Sequence, residues 1–434
     1  MSTESLKYQL SLLKEYSIFK YLIRWILIGS LVGVLAGTAS AWLLISLEWA
    51  TSYREANLWI VWLLPVGGLI IGLMYYYFGD RAVKGNNLLL EEFHDPKKVI
   101  PLSMGVLVFI GTVLTHLFGG SAGREGTAVQ VGAAISDQFT KLFKFSDKNR
   151  KILITIGISA GFASVFGTPL AGAVFGLEVL VLGRMRYEAI LPSFIAAVIA
   201  NWTGHMWPVE HTNYHFDMSI IPHMDPINFL WAALAGVAFG YASMLFSSST
   251  HFFSDLSKKI KYPPLRPVIG GAILAIIFFA MGSEGTKFMG LGVQTIVDSF
   301  NMQLNSYDFL LKILFTAFTL GVGFKGGEVT PLFFIGAALG NALVWIIPLP
   351  MPVLAGMGFV AVFSGATNTP IACTFMGIEL FGADMGVYVG IACVVAYIFS
   401  GHTGIYASQI VGTPKNSKLK LHKSKTLEQI HKHL

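Results

Sequence analysis

The sequence predicts an all-α, polytopic membrane protein of two repeats with broken helices, and three observations carry that reading. Of 434 residues, 54% are apolar and only 12% charged, about half the charge of a typical soluble domain, so the expected solvent is lipid. Uncharged runs cover residues 25–47, 155–177 and 329–378, and roughly 20 such residues cross a bilayer as a helix. The last run is far too long for one span. Pro331, Pro348, Pro350, Pro352 and Pro370 divide it into shorter helices. The chain also repeats itself: residues 162–178 (Phe-Ala-Ser-Val-Phe-Gly-Thr-Pro-Leu-Ala-Gly-Ala-Val-Phe-Gly-Leu-Glu) align without a gap on 363–379 (Phe-Ser-Gly-Ala-Thr-Asn-Thr-Pro-Ile-Ala-Cys-Thr-Phe-Met-Gly-Ile-Glu).

In chain order, residues 1–20 mix polar and apolar positions and read as a cytoplasmic or interfacial helix, not as a cleaved secretory signal. Residues 21–208 hold the first transmembrane repeat, 209–225 a polar loop, 226–412 the second repeat and 413–434 a basic tail. Lys7, Lys14, Lys20 and Arg24 flank the first span, and Lys415, Lys418, Lys420, Lys423 and Lys425 follow the last apolar segment. By the positive-inside rule both termini are cytoplasmic. Much of the net charge of +6 sits in these flanks, where anionic lipid headgroups explain it better than nucleic acid. Cys373 and Cys393 lie in apolar helices and suggest neither a disulfide nor a metal site. No cofactor is implied.

Chemistry concentrates at three polar helix starts. Between Lys98 and Asp137 the only charged side chains are Arg124 and Glu125, within Gly123-Arg124-Glu125-Gly126-Thr127. A carboxylate at membrane depth costs roughly 2.5–3.5 kcal/mol on insertion scales, so it is either used or paired, here with Arg124 as the simplest partner. Flanking glycines followed by an apolar pattern place it where unpaired amides and the helix dipole favour an anion. The second half carries a loose counterpart, Gly326-Gly327-Glu328-Val329-Thr330-Pro331, with Pro331 marking another helix start. Gly85-Asn86-Asn87 is a third. Matching interruptions in repeated halves point to a transport site near the bilayer midplane.

These motifs resemble the CLC family of anion channels and transporters, over residues 21–409, and within it the branch of bacterial fluoride/proton antiporters. Gly123-Arg124-Glu125-Gly126 is the signature of that family, with its gating glutamate. Four departures from chloride-transporting members favour the fluoride branch. Asn86 and Asn87 stand in the turn that usually contains serine, Glu328, Val329 and Thr330 occupy the usual Ile-Phe-Ala positions, Thr127 replaces a common proline, and Glu178 is followed by Val179 instead of a second, proton-carrying glutamate.

The resemblance implies a CLC-like fold of two inverted-topology repeats and a homodimer with one pore per subunit in the inner (plasma) membrane of a bacterium. It also implies a transporter, not an enzyme, whose partners are fluoride, protons and the lipid bilayer. Glu125 and Glu328 become the gating and proton-coupling residues, and Asn86, Asn87, Gly126, Thr127, Val329, Thr330 and Tyr406 the anion-binding ones, Tyr406 as the inner gate. Asn86 and Thr330 supply hydrogen-bond donors, which a small, strongly hydrated anion needs more than a larger halide does. Chloride/proton exchange and passive anion conduction are the alternatives.

Other signals are weaker. Gly157-Ile-Ser159-Ala-Gly161 matches a serine-hydrolase elbow, but no strand precedes it; Gly321-Val-Gly323-Phe-Lys-Gly326 matches a dinucleotide fingerprint without the surrounding fold. The histidines at 205, 211, 215 and 223 are irregularly spaced in the polar loop, which suits a solvated loop better than a metal site. His94 and His116 are read the same way. Glu178 and Glu379, ending matched helices, are assigned structural roles.

Overall fold

The computed structural model describes residues 3–214 and 216–431, so His215 lies outside the described residues. Its first half contains the helices Thr3–Ala56, Leu64–Phe78, Asn86–His94, Leu102–Leu117, Glu125–Leu142, Asp147–Phe166, Pro169–Glu178 and Ile190–Gly204. The second contains Pro226–Lys258, Leu265–Met281, Val293–Asn301, Asp308–Gly321, Val329–Leu343, Met351–Thr367, Pro370–Phe381 and Gly386–Phe399. Among the described residues three helical stretches are long and apolar enough to cross a membrane alone: Ile18–Ala56, Leu58–Phe78 and Pro226–Lys258. Other apolar helices run only 10–17 residues, and Pro331, Pro352 and Pro370 stand in the first turns of those that divide the long uncharged run. The first helix is unbroken across residue 20, where the sequence suggested a boundary.

The halves are built alike. Glu125–Leu142 lies along Asp147–Phe166, and Val329–Leu343 lies along Met351–Thr367. Both pairs need bare backbone at the crossing: a Cβ on Gly132 would overlap the carbonyl oxygen of Gly157, and one on Gly336 that of Gly358. This explains the elbow-like motif. Gly157 and Gly161 are contact points between helices, and the Ser159 hydroxyl donates to the Ala173 carbonyl at 3.3 Å. The dinucleotide-like match begins at the end of Asp308–Gly321, and among the described residues the elements on either side of it in the chain are helices.

Equivalent elements also meet each other across the halves. Leu64–Phe78 packs on Leu265–Met281, and Pro169–Glu178 on Pro370–Phe381. In the latter pair the Glu178 carboxylate accepts the amides of Ile371 and Ala372 at 3.1 and 2.8 Å, while Glu379 accepts those of Leu170 and Ala171 at 2.9 and 2.8 Å. Each helix therefore carries in its last turn the acid that caps the start of its counterpart, where unpaired amides and the positive dipole end welcome a carboxylate. Among the described residues the sheet content is one parallel pairing of Val181–Leu182 with Ile410–Val411. It ties the C-terminal segment to the body, and Leu427 and Ile430 pack onto Leu182 and Val411 beside it. The segment after residue 413 is thus a docked element, not a bare tail.

Candidate functional site

Three helix starts converge, as their polar turns suggested. Gly85, at φ 56°, precedes Asn86–His94; Arg124 precedes Glu125–Leu142; Glu328 precedes Val329–Leu343. Two of the starts are fastened by their backbones: Gly123 and Gly327 exchange N–H to O=C bonds of 2.6 and 2.7 Å. Gly126 brings in the third. A Cβ there would sit 3.1 Å from both Asn86 Nδ2 and Gly327 Cα, and 3.5 Å from Glu328 Oε2. Bare backbone at this crossing lets the two signature helices and the Asn86 side chain approach one another closely.

Glu125 is fully buried and reaches across the repeats. One oxygen accepts the Thr330 amide at 3.0 Å and the Arg124 amide at 3.1 Å; the other takes the Thr330 hydroxyl in a short hydrogen bond. Arg124 Nε lies 3.5 Å from the carboxylate, so the expected ion pair exists as the longest of these contacts. The carboxylate is thus held by helix-start amides and a hydroxyl, donors of the kind that an anion accepts from. Protonation weakens it as an acceptor, which frees the Thr330 donors.

Cavities lie on both sides of this contact. A space of about 20 Å³ touches Glu125, Thr330, Arg124 and Tyr214, and a larger one of about 240 Å³ is lined by Asn86, Asn87, Gln130, Glu328 and Tyr406. Glu125 and Thr330 face only the first, Asn86, Glu328 and Tyr406 only the second. Glu328 stands at the N-cap position, yet its side chain makes no capping bond and its Oε2 is buried without a hydrogen-bond partner. A static cap would use that oxygen. The Asn86 Oδ1 is likewise buried and unpartnered, and Tyr406 is buried at 4% exposure. Val329 contributes backbone at the first position of its helix.

Two expected anion ligands point elsewhere. The Thr127 hydroxyl pairs with Thr112 at 2.6 Å, which turns it toward the helix Leu102–Leu117. The side-chain oxygen of Asn87 accepts the Ser408 amide at 2.9 Å, fixing the irregular segment that carries Tyr406. Asn87 thus lines the cavity while positioning Tyr406. The solvated-loop reading also fails for His211, which folds back to line the narrow cavity beside Glu125, with Nδ1 buried and unpartnered. Burial, with the Arg124 charge second, pushes its imidazole down to about 4. The solvated-loop reading fails for His94 and His116 as well, which lie in the last turns of the helices Asn86–His94 and Leu102–Leu117 and bond to the Leu180 and Thr112 carbonyls at 3.0 and 2.8 Å.

Sequence reasoning missed Gln130 and Lys325 on the larger cavity. Lys325 had a legible signal, as the only charge between Lys312 and Glu328 in an apolar stretch.

Residues 67–401 match the family described as voltage gated chloride channel. A "Chloride/fluoride channel protein" of Pseudomonas syringae pv. tomato is 49% identical over 414 residues, covering 93% of this chain and 90% of its own. Among solved structures, a CLC-type fluoride/proton antiporter superposes with a TM-score of 0.85 at 36% identity, over 89% of this chain and 98% of that one. A slow cyanobacterial Cl⁻/H⁺ antiporter shares the fold, with a TM-score of 0.73 at 18% identity over 94% and 96% of the two chains.

Proposed function

We infer that this protein, which belongs to the voltage-gated chloride channel (CLC) family, exports cytoplasmic fluoride in exchange for protons. Anion transport is its function as a CLC protein; the ion and the coupling are the proposal. The carrying observation is the Glu125 carboxylate lying on the amide and hydroxyl of Thr330 across the repeat interface. Fluoride needs close, strong donors in place of its water, and those donors are available only when Glu125 has left. Protonated Glu125 leaves readily and takes a proton with it, so anion and proton exchange places. Glu328, at the larger cavity, passes the proton onward, a duty that Glu178 cannot take because both its oxygens cap a helix. Asn86 and Tyr406 line the inner approach.

The reading is supported by the similarity to a CLC-type fluoride/proton antiporter at 36% identity. In the same reading the chain is a homodimer with a pore in each subunit, in a bacterial inner membrane, with both termini cytoplasmic. Purified protein in vesicles loaded with fluoride or with chloride tests the ion: fluoride efflux is expected at least about tenfold faster, the ratio that roughly 1.4 kcal/mol supplies. Equal rates would return the assignment to a chloride exchanger or an unselective anion channel.

A further inference from the structure

Lys325 lines the larger cavity together with Asn86, Tyr406 and Glu328, and the Glu328 carboxyl group acts on its charge through space without bonding to it. Lys325 takes part in no ion pair or side-chain hydrogen bond among the described residues; Lys84, the other lysine on this wall, is paired with Glu91 at 2.6 Å. What holds Lys325 is the ring of Tyr75, whose centroid lies 4.2 Å from Nζ. An aromatic face orients an ammonium without cancelling its net charge. Its stem is packed as well: a Cβ on Gly111 would lie 2.9 Å from Lys325 Cβ, so the helix Leu102–Leu117 leaves room for it.

We propose that Lys325 is an anion-recruiting residue, a fixed cation that gathers fluoride in the inner cavity before the ion meets Asn86 and Thr330. The inference rests on the fluoride-export reading and extends it. A small cavity with low-dielectric walls focuses the field of a single charge and raises the local concentration of the opposite ion. Lys325 also stands three positions before Glu328, so the recruited anion arrives beside the group that handles the proton. The plain alternative is a lysine whose stem merely fills space while its head reaches water.

The two differ in which kinetic constant they control. Initial efflux from vesicles is measured against the concentration of loaded fluoride for the parent, Lys325→Met, which keeps the stem, and Lys325→Arg, which keeps the charge. Recruitment predicts a half-saturating fluoride concentration about tenfold higher in Lys325→Met, a maximal rate close to the parent's, and near-parental behaviour in Lys325→Arg. It also predicts that an impermeant salt raised to about 1 M, where screening acts within roughly 3 Å, raises the parent's half-saturating concentration. That measurement needs no variant and decides the matter if Lys325→Met does not fold, because a salt-insensitive parent overturns the proposal. Unchanged half-saturation in folded Lys325→Met, or a fall in maximal rate alone, overturns it too. If the parent moves chloride and not fluoride, the fluoride reading fails and the same comparison with chloride still judges Lys325. A parent that moves neither ion sinks both.

Discussion

Glu125 and Glu328 lie on neighbouring helix starts of the two repeats yet differ in what their carboxyl groups touch. Glu125 is bound by three donors, two of them from Thr330, whereas Glu328 keeps an unpartnered oxygen toward the larger cavity. In the proposed exchange both change protonation, so Glu125→Gln and Glu328→Gln are each expected to keep shape and lose coupling. Flux recorded with a pH electrode should show proton-driven fluoride accumulation abolished in the first and reduced at least about tenfold in the second. A folded Glu328→Gln protein with parental coupling would make Glu328 a structural residue after all. Selectivity is argued from Asn86 and Thr330. One hydrogen bond to a charged group is worth roughly 1.5–3 kcal/mol, and about 1.4 kcal/mol is a factor of ten. Asn86→Ser and Thr330→Ala should therefore each cut the ratio of fluoride to chloride efflux by about tenfold or more, through slower fluoride. Ratios that stay at the parent's value would assign selectivity to backbone amides or pore width. Both residues were legible in the sequence because a polar side chain in a glycine-flanked turn inside an apolar chain has few other uses. Thr127 and Asn87 were read less well: side-chain direction depends on packing partners, Thr112 and Ser408, that are distant in the chain or on another element.

The matched helices Pro169–Glu178 and Pro370–Phe381 show what an internal repeat adds to a single motif. The gapless alignment of residues 162–178 on 363–379 revealed the equivalence and the shared terminal acid, but not that each acid caps the other's helix, since that follows from how the two halves face one another. The cap predicts a measurable cost. Glu178→Ala leaves the Ile371 and Ala372 amides without a protein acceptor, and an unsatisfied buried donor costs about 1–3 kcal/mol. Thermal unfolding in detergent should show Glu178→Ala and Glu379→Ala destabilised by comparable amounts, with the proton-to-fluoride ratio of the folded fraction unchanged. A changed ratio in Glu178→Ala would give Glu178 a place in the proton path. The first helix and the C-terminal segment were the elements read less well. A mixed polar pattern does not end a helix when no proline or glycine interrupts it, and a lysine-rich segment docks when a few apolar residues, here Leu427 and Ile430, meet a matching surface.

At the scale of the whole molecule, two similar halves place their signature helices head to head, so that bonds between Gly123 and Gly327 hold a carboxylate of one half over the donors of the other. Composition, periodicity and the internal repeat were enough to read a broken-helix membrane protein with a buried site. They could not reveal that one loop histidine, His211, turns inward over Glu125, because loop conformation depends on tertiary packing more than on local pattern. The central claim is that the alternating occupation of the Thr330 donors, by the Glu125 carboxylate or by fluoride, couples two gradients. The most direct measurement uses sealed vesicles with equal fluoride inside and out, a pH difference as the only driving force, and the membrane potential clamped at zero. The account predicts that fluoride moves uphill toward the more acidic compartment as protons leave it, stops when the proton gradient is dissipated by a protonophore, and does neither in Glu125→Gln. Fluoride that only ever runs down its own gradient, whatever the pH difference, would contradict it and make the protein a passive anion pathway.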